Sequence, residues 1–170
     1  MEGQLSIKRG DLIAGVHGLR AALYELPEMG FVRKRPALLG ALAEGLARIG
    51  QVAEGLLAID EALARCEQTD ERWNMSELLR IRGELLLLES TTEATAAAEE
   101  HLLQGLEVAH QQGALSWELR CATGIARLWR DQARRKTARE LLATVYDRFT
   151  EGFATADLRS AKALIDDLSS

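Results

Sequence analysis

Four stretches of the chain carry one apolar pattern. Residues 10–23 (GDLIAGVHGLRAAL), 50–63 (GQVAEGLLAIDEAL), 93–106 (EATAAAEEHLLQGL) and 133–146 (ARRKTARELLATVY) superimpose on it at steps of 40, 43 and 40 residues. In each, a small residue stands sixth: Gly15, Gly55, Ala98 and Ala138. A branched apolar residue follows four later (Leu19, Ile59, Leu102, Leu142). A small or β-branched one comes three after that (Ala22, Ala62, Gly105, Val145). Steps of four and three place these positions on one stripe of an α-helix. Small residues on the stripe let a second helix approach closely, and the bulky ones fill the space beside it.

A second set of segments precedes the last three stripes. Leu39, Leu42, Ala43 and Leu46 mark 36–49; Leu79, Gly83 and Leu86 mark 73–88; Ala122, Ile125, Ala126 and Trp129 mark 115–131. Neither member of such a pair hides its apolar side alone, whereas stacked pairs hide each other's. The pattern predicts helices near 10–25, 36–49, 51–67, 72–88, 93–112, 115–131, 134–149 and 155–168, with no strand-like alternation. Pro36 suits a first helical turn, where its missing N–H costs nothing. Thr92 is placed to cap the next helix through its hydroxyl. Gly30 and Gly113 stand where helices stop. The expected fold is therefore all-α: an α-solenoid of antiparallel helix pairs, period 40–43, with about eight helices. A single domain over 1–170 divides into a half repeat and loop (3–35), repeats at 36–71, 72–112 and 113–150, and a capping helix (151–170).

Composition agrees with this reading: Ala, Leu, Glu and Arg dominate, 47% of residues are hydrophobic, and only 2 prolines occur. No apolar run is long enough to span a bilayer and the first residues lack a secretory pattern, so a cytoplasmic location is expected. Cys66 and Cys121, far apart and outside any CxxC, read as reduced buried thiols. Net charge is −5 but unevenly spread. Residues 40–112 hold 14 acids against 5 bases, and 113–149 hold 4 acids against 8 bases. The acidic whole argues against nucleic-acid binding and leaves a local basic end.

The small–apolar–small spacing of the second helices and the Leu/small/aromatic spacing of the first resemble the tetratricopeptide repeat. That repeat has a period of about 34 residues. The longer period here fits longer-helixed relatives in bacterial signalling proteins and overlaps HEAT and armadillo arrays. The run 113–168, with SELLRIRGELLL at 76–87, is similar to the C-terminal region of bacterial multidomain ATPases of the adenylate-cyclase-type or winged-helix transcriptional-regulator kind. The resemblance implies a non-catalytic protein-interaction or signal-sensing tail, whose partner is a protein, a peptide or an adjacent domain of the same polypeptide. It also implies which positions line the groove: Glu44, Ala47 and Arg48, then Glu77, Arg80, Glu84 and Leu87, then Arg120, Thr123, Arg127 and Arg130. The alternative for these charges is mutual pairing across adjacent helices. The lysine and asparagine clamp of chaperone-binding members is missing, so capture of a C-terminal carboxylate is not expected.

Catalysis finds no foothold in the residue pattern. His17, His101 and His110 do not match HExxH, GALAEG (40–45) lacks the Lys-Ser/Thr of a phosphate loop, and the pairs Glu99–Glu100 and Asp166–Asp167 diverge on a helix and read as solvated charge. No cofactor and no metal are expected. Trp73, Trp117 and Trp129 read as packing residues, and Phe149 and Phe153 as seats for the last helix. Helix 155–168 sets Asp157, Arg159, Lys162, Asp166 and Asp167 outward from an apolar stripe, as a capping helix requires. Helix 10–25 matches the second member of a pair. With no first member before it, Ile13, Val16, Leu19 and Leu23 are expected to lack a partner on one side. Preceding repeats of a longer protein, a second copy, or the leading GQLSIK (3–8) folding back would cover them; the second option makes them a self-association surface and a homodimeric structural arm the competing function.

Overall fold

The computed structural model describes residues 12–25, 34–69 and 72–169. All regular structure among them is helical: α1 (Leu12–Glu25), α2 (Arg35–Arg48), α3 (Val52–Thr69), α4 (Met75–Leu87), α5 (Thr92–Gln111), α6 (Leu115–Asp131), α7 (Arg135–Tyr146) and α8 (Ala156–Leu168). No helix among the described residues is long and apolar enough to cross a membrane. Gly30 and the segment 3–8 lie outside the described residues.

Every helix packs on the one that follows it. In addition α2 touches α4, α4 touches α6 and α6 touches α8, so these four form a contiguous front row with α1, α3, α5 and α7 behind. The repeated stripe faces inward in all four back helices. Gly15, Gly55, Ala98 and Ala138 are buried, as are Leu19, Ile59, Leu102 and Leu142. Small residues in both rows mark close approaches. A Cβ on Gly55 would stand 2.7 Å from Leu85 Cδ2 and 3.0 Å from the Ala43 carbonyl oxygen. On Gly83 it would stand 2.8 Å from Leu102 Cγ and 3.1 Å from the Ala98 oxygen. Bulk at these points would separate the paired helices, which explains why small residues recur there.

The core falls into two clusters, one drawn from α1–α4 and the other mainly from α5–α8. Between them Gly105 lies against the Ser76 carbonyl, and Ser76 Oγ sits 3.6 Å from Cys121 Sγ. Burial pushes the Cys121 thiol up to about 11, so it stays protonated and unreactive. Trp129 is a core residue whose Nε1 donates to Glu99 at 2.6 Å, beneath the Arg134 guanidinium. Phe149 packs against the second cluster, while Phe153 is half-exposed and packs on Tyr146 with the rings tilted by 52°.

Loop chemistry is clear at the turns. Pro36 sits in the first turn of α2, and Gly50 and Gly113 close α2 and α5 at φ +83° and +64°. After α6 the same left-handed position falls to Ala133 (φ 60°), with Arg134 N–H reaching back to the Trp129 oxygen; after α4 it falls to Ser90 (φ 56°). The cap of α5 is Thr91, not Thr92: its Oγ1 accepts from Ala94 N at 3.1 Å, because the helix begins one residue earlier than the pattern implied.

Three further expectations are corrected. Val16, Leu19 and Leu23 are buried within the chain on the first core cluster, so α1 spends its stripe on the stack; only Ile13 of the four is exposed, at 64%. Glu99 is no solvated charge. Burial raises its carboxyl, but hydrogen bonds from Arg134 and Trp129 outweigh that and hold it below the usual range. Asp157 and Asp167 of α8 face Arg120 and Arg130, each at 3.7 Å, because α8 lies along the front row as well as closing the stack.

Candidate binding groove

The front row carries its charge on one face. Glu77, Arg80 and Glu84 are spaced three and four apart along α4, so they share a side. Arg80 is 3% exposed, an unusual place for a guanidinium. Its Nε donates to Glu77 Oε2 at 2.8 Å, its Nη2 to Glu44 Oε1 of α2 at 3.0 Å, and its Nη1 pairs with Glu84 at 2.5 Å. Burial alone would lower the Arg80 pKa; the Glu77 hydrogen bond and the charges of Glu84, Glu77 and Glu44 outweigh it and raise the group further. A planar fork suits such multiple pairing where an ammonium would not. Arg120 on α6 shares Glu77 and lies 3.7 Å from Asp157 of α8, while Arg127 Nη2 donates to Ser160 Oγ at 2.8 Å. An ionic ladder thus crosses α2, α4, α6 and α8.

Above this ladder lies a groove. Its wide end holds about 680 Å³, floored by Ala37, Gly40, Ala41, Leu78 and Ile81 and walled by Glu44, Glu77, Arg120 and Asp157. A narrower pocket of about 190 Å³ continues between Arg80, Glu84, Arg120, Thr123, Arg127, Asp157 and Ser160. The wide end falls within the size range of ligand sites. At its edge Trp73 and Trp117 pack with ring centroids 6.2 Å apart and planes tilted by 38°. Trp73 stays 46% exposed despite its size. Asn74, buried beside it, accepts from Cys66 Sγ at 3.5 Å through Oδ1.

The structure therefore brings Glu44, Glu77, Arg80, Glu84, Arg120, Thr123 and Arg127 together along the groove. Thr123 turns its hydroxyl back to the Leu119 oxygen, 2.7 Å away. Arg48 stands at the exposed end of α2, Arg130 pairs with Asp131 and Asp167, and Ala47 and Leu87 pack on the two core clusters; none of the four lines the groove. Sequence reasoning missed the aromatic wall and the contribution of α8. Trp73 stands just before α4 and Trp117 in the first turn of α6, 44 positions on, a signal that reads first as packing.

Other polar groups lie where the two rows meet. Between α3 and α5, Arg82 donates to Asp60 at 2.7 Å and to His101 Nε2, which makes that imidazole an acceptor and therefore neutral. Burial first, and the Arg82 charge second, hold the His101 pKa below its ordinary value. Glu118, 4% exposed, takes Arg148 and stands 3.3 Å from His110 Nδ1, beside an apolar cleft of about 540 Å³. A scan of protein-family models and a search of curated proteins both return no match.

Proposed function

We propose that this chain is a tetratricopeptide-like stack of helix pairs and that its front groove holds a peptide or a neighbouring domain. The observation that carries this reading is the groove itself. One cavity draws its lining from all four front helices, with an apolar floor, charged walls and a half-exposed tryptophan. Packing gains little from leaving Trp73 in water, whereas recognition gains a rigid anchor of large area. The stacking order favours the repeat reading, since each pair leans on the next through its front helix. The sequence resemblance favours a setting in a larger bacterial regulator, where such a groove would hold a signal-bearing segment. The competing homodimeric arm is weakened, because its intended surface at Val16, Leu19 and Leu23 is already buried within the chain.

A peptide-display selection on the purified chain tests the proposal. Peptides that survive should lose binding at least tenfold on Trp73→Ala and be indifferent to Leu103→Ala, an exposed residue of the back row. Survivors indifferent to Trp73→Ala, or a selection that yields none, would overturn it.

A further inference from the structure

Resting on that groove reading, we propose that the wide end takes a basic side chain of a peptide, an Arg or Lys whose stem lies on the tryptophan pair and whose charge sits between Glu44 and Asp157. The charge of the wall points this way. Its ionised side chains are three carboxylates, Glu44, Glu77 and Asp157, against one guanidinium, Arg120. Glu77 is largely spent, because it accepts from both Arg80 and Arg120. Glu44 and Asp157 are differently placed. Their side chains remain 40% and 55% exposed, on opposite walls, although Glu44 gives one oxygen to Arg80 at 3.0 Å and Asp157 has Arg120 at 3.7 Å.

The aromatic pair is the second, independent observation. A cation over an indole face is attracted by the ring quadrupole, more strongly as water leaves. The apolar stem of Arg or Lys matches a ring surface that is otherwise wet. Ala37, Gly40 and Ala41 keep the floor shallow enough for a side chain to lie across it. An anionic group in the same place would face Glu44 and Asp157 with no uncommitted arginine to meet it. Arg80 already holds three carboxylates, and Arg120 holds Glu77.

The test uses the full chain and three synthetic peptides, acetyl-Gly-Ala-Leu-X-Leu-Ala-Gly-amide with Arg, Gln or Glu at X, titrated calorimetrically at low and high salt. The Arg peptide should bind at least tenfold more tightly than the Glu peptide and weaken with salt. The isosteric pair Glu44→Gln/Asp157→Asn should erase that preference while circular dichroism stays unchanged. Equal or tighter binding of the Glu peptide, or no binding by any of the three, overturns the basic-residue assignment. The groove reading fails separately, when displayed peptides of any charge ignore Trp73→Ala.

Discussion

The two rows are built from the same pairs yet buried very differently. In α6 of the front row, ten of 17 residues are buried, whereas α7 behind it buries three of 12. A front helix is covered by its own partner and by front neighbours on both sides, so even Glu118 and Thr123 of α6 are enclosed. A back helix needs only one apolar stripe, and the rest of its surface stays wet. The charged ladder lies in the more buried row. Polar groups there are held by each other, and that makes the front row a precise surface and the back row a support.

Substitutions can break this contrast, and the largest loss should come from the support. Leu102 is fully buried and touches both Gly83 and Gly124 of the front row. Leu102→Ala should cost about 4 kcal/mol, read as a lowered urea midpoint. Arg80→Met comes next, at about 3 kcal/mol, since it leaves Glu44 and Glu84 without the cation they share and Glu77 with Arg120 alone. That figure sits at the low end for a broken buried pair because Glu44 and Glu84 keep more than a third of their surface in water. Gly55→Ala should destabilise by about 1–2 kcal/mol despite the better helix propensity of alanine, because the Ala43 oxygen at 3.0 Å is backbone and cannot turn aside.

These outcomes bear on how much of the molecule was legible beforehand. The stripe was, because a back helix has one buried face and period is enough to find it. Seven of the eleven positions that the resemblance implied also border the cavity, one on α2 and the rest at helical spacing along α4 and α6. The fate of α1 was not. Val16, Leu19 and Leu23 carry the same stripe as their equivalents in the other back helices, and a pattern does not say that they join the cluster of α2, α3 and α4. Nor was Ala133 at φ 60°, since a backbone held by its own hydrogen bonds can impose a left-handed turn on a residue that does not favour it. The tie between Arg80 and Glu44 spans 36 positions and depends on how two front helices meet.

Smaller effects sharpen the contrast. His101 has a folded pKa below its ordinary value, so the unfolded chain binds its proton more readily. Stability should therefore fall as pH drops below about 6.5 and level off once the folded value is passed. His101→Gln should flatten that fall in urea melts at pH 7.5 and 5.5. Ala133→Gly should stabilise the chain by about 0.5–1 kcal/mol by relieving the left-handed residue after α6.

The division of labour between the rows is tested most directly by mapping amide chemical shifts of the labelled chain as a display-selected peptide is added. Perturbations concentrated around Trp73, Glu44 and Arg120, with α1, α3, α5 and α7 quiet, are the predicted result. Perturbations centred instead on the back cleft near Leu103 and Leu141 would contradict it.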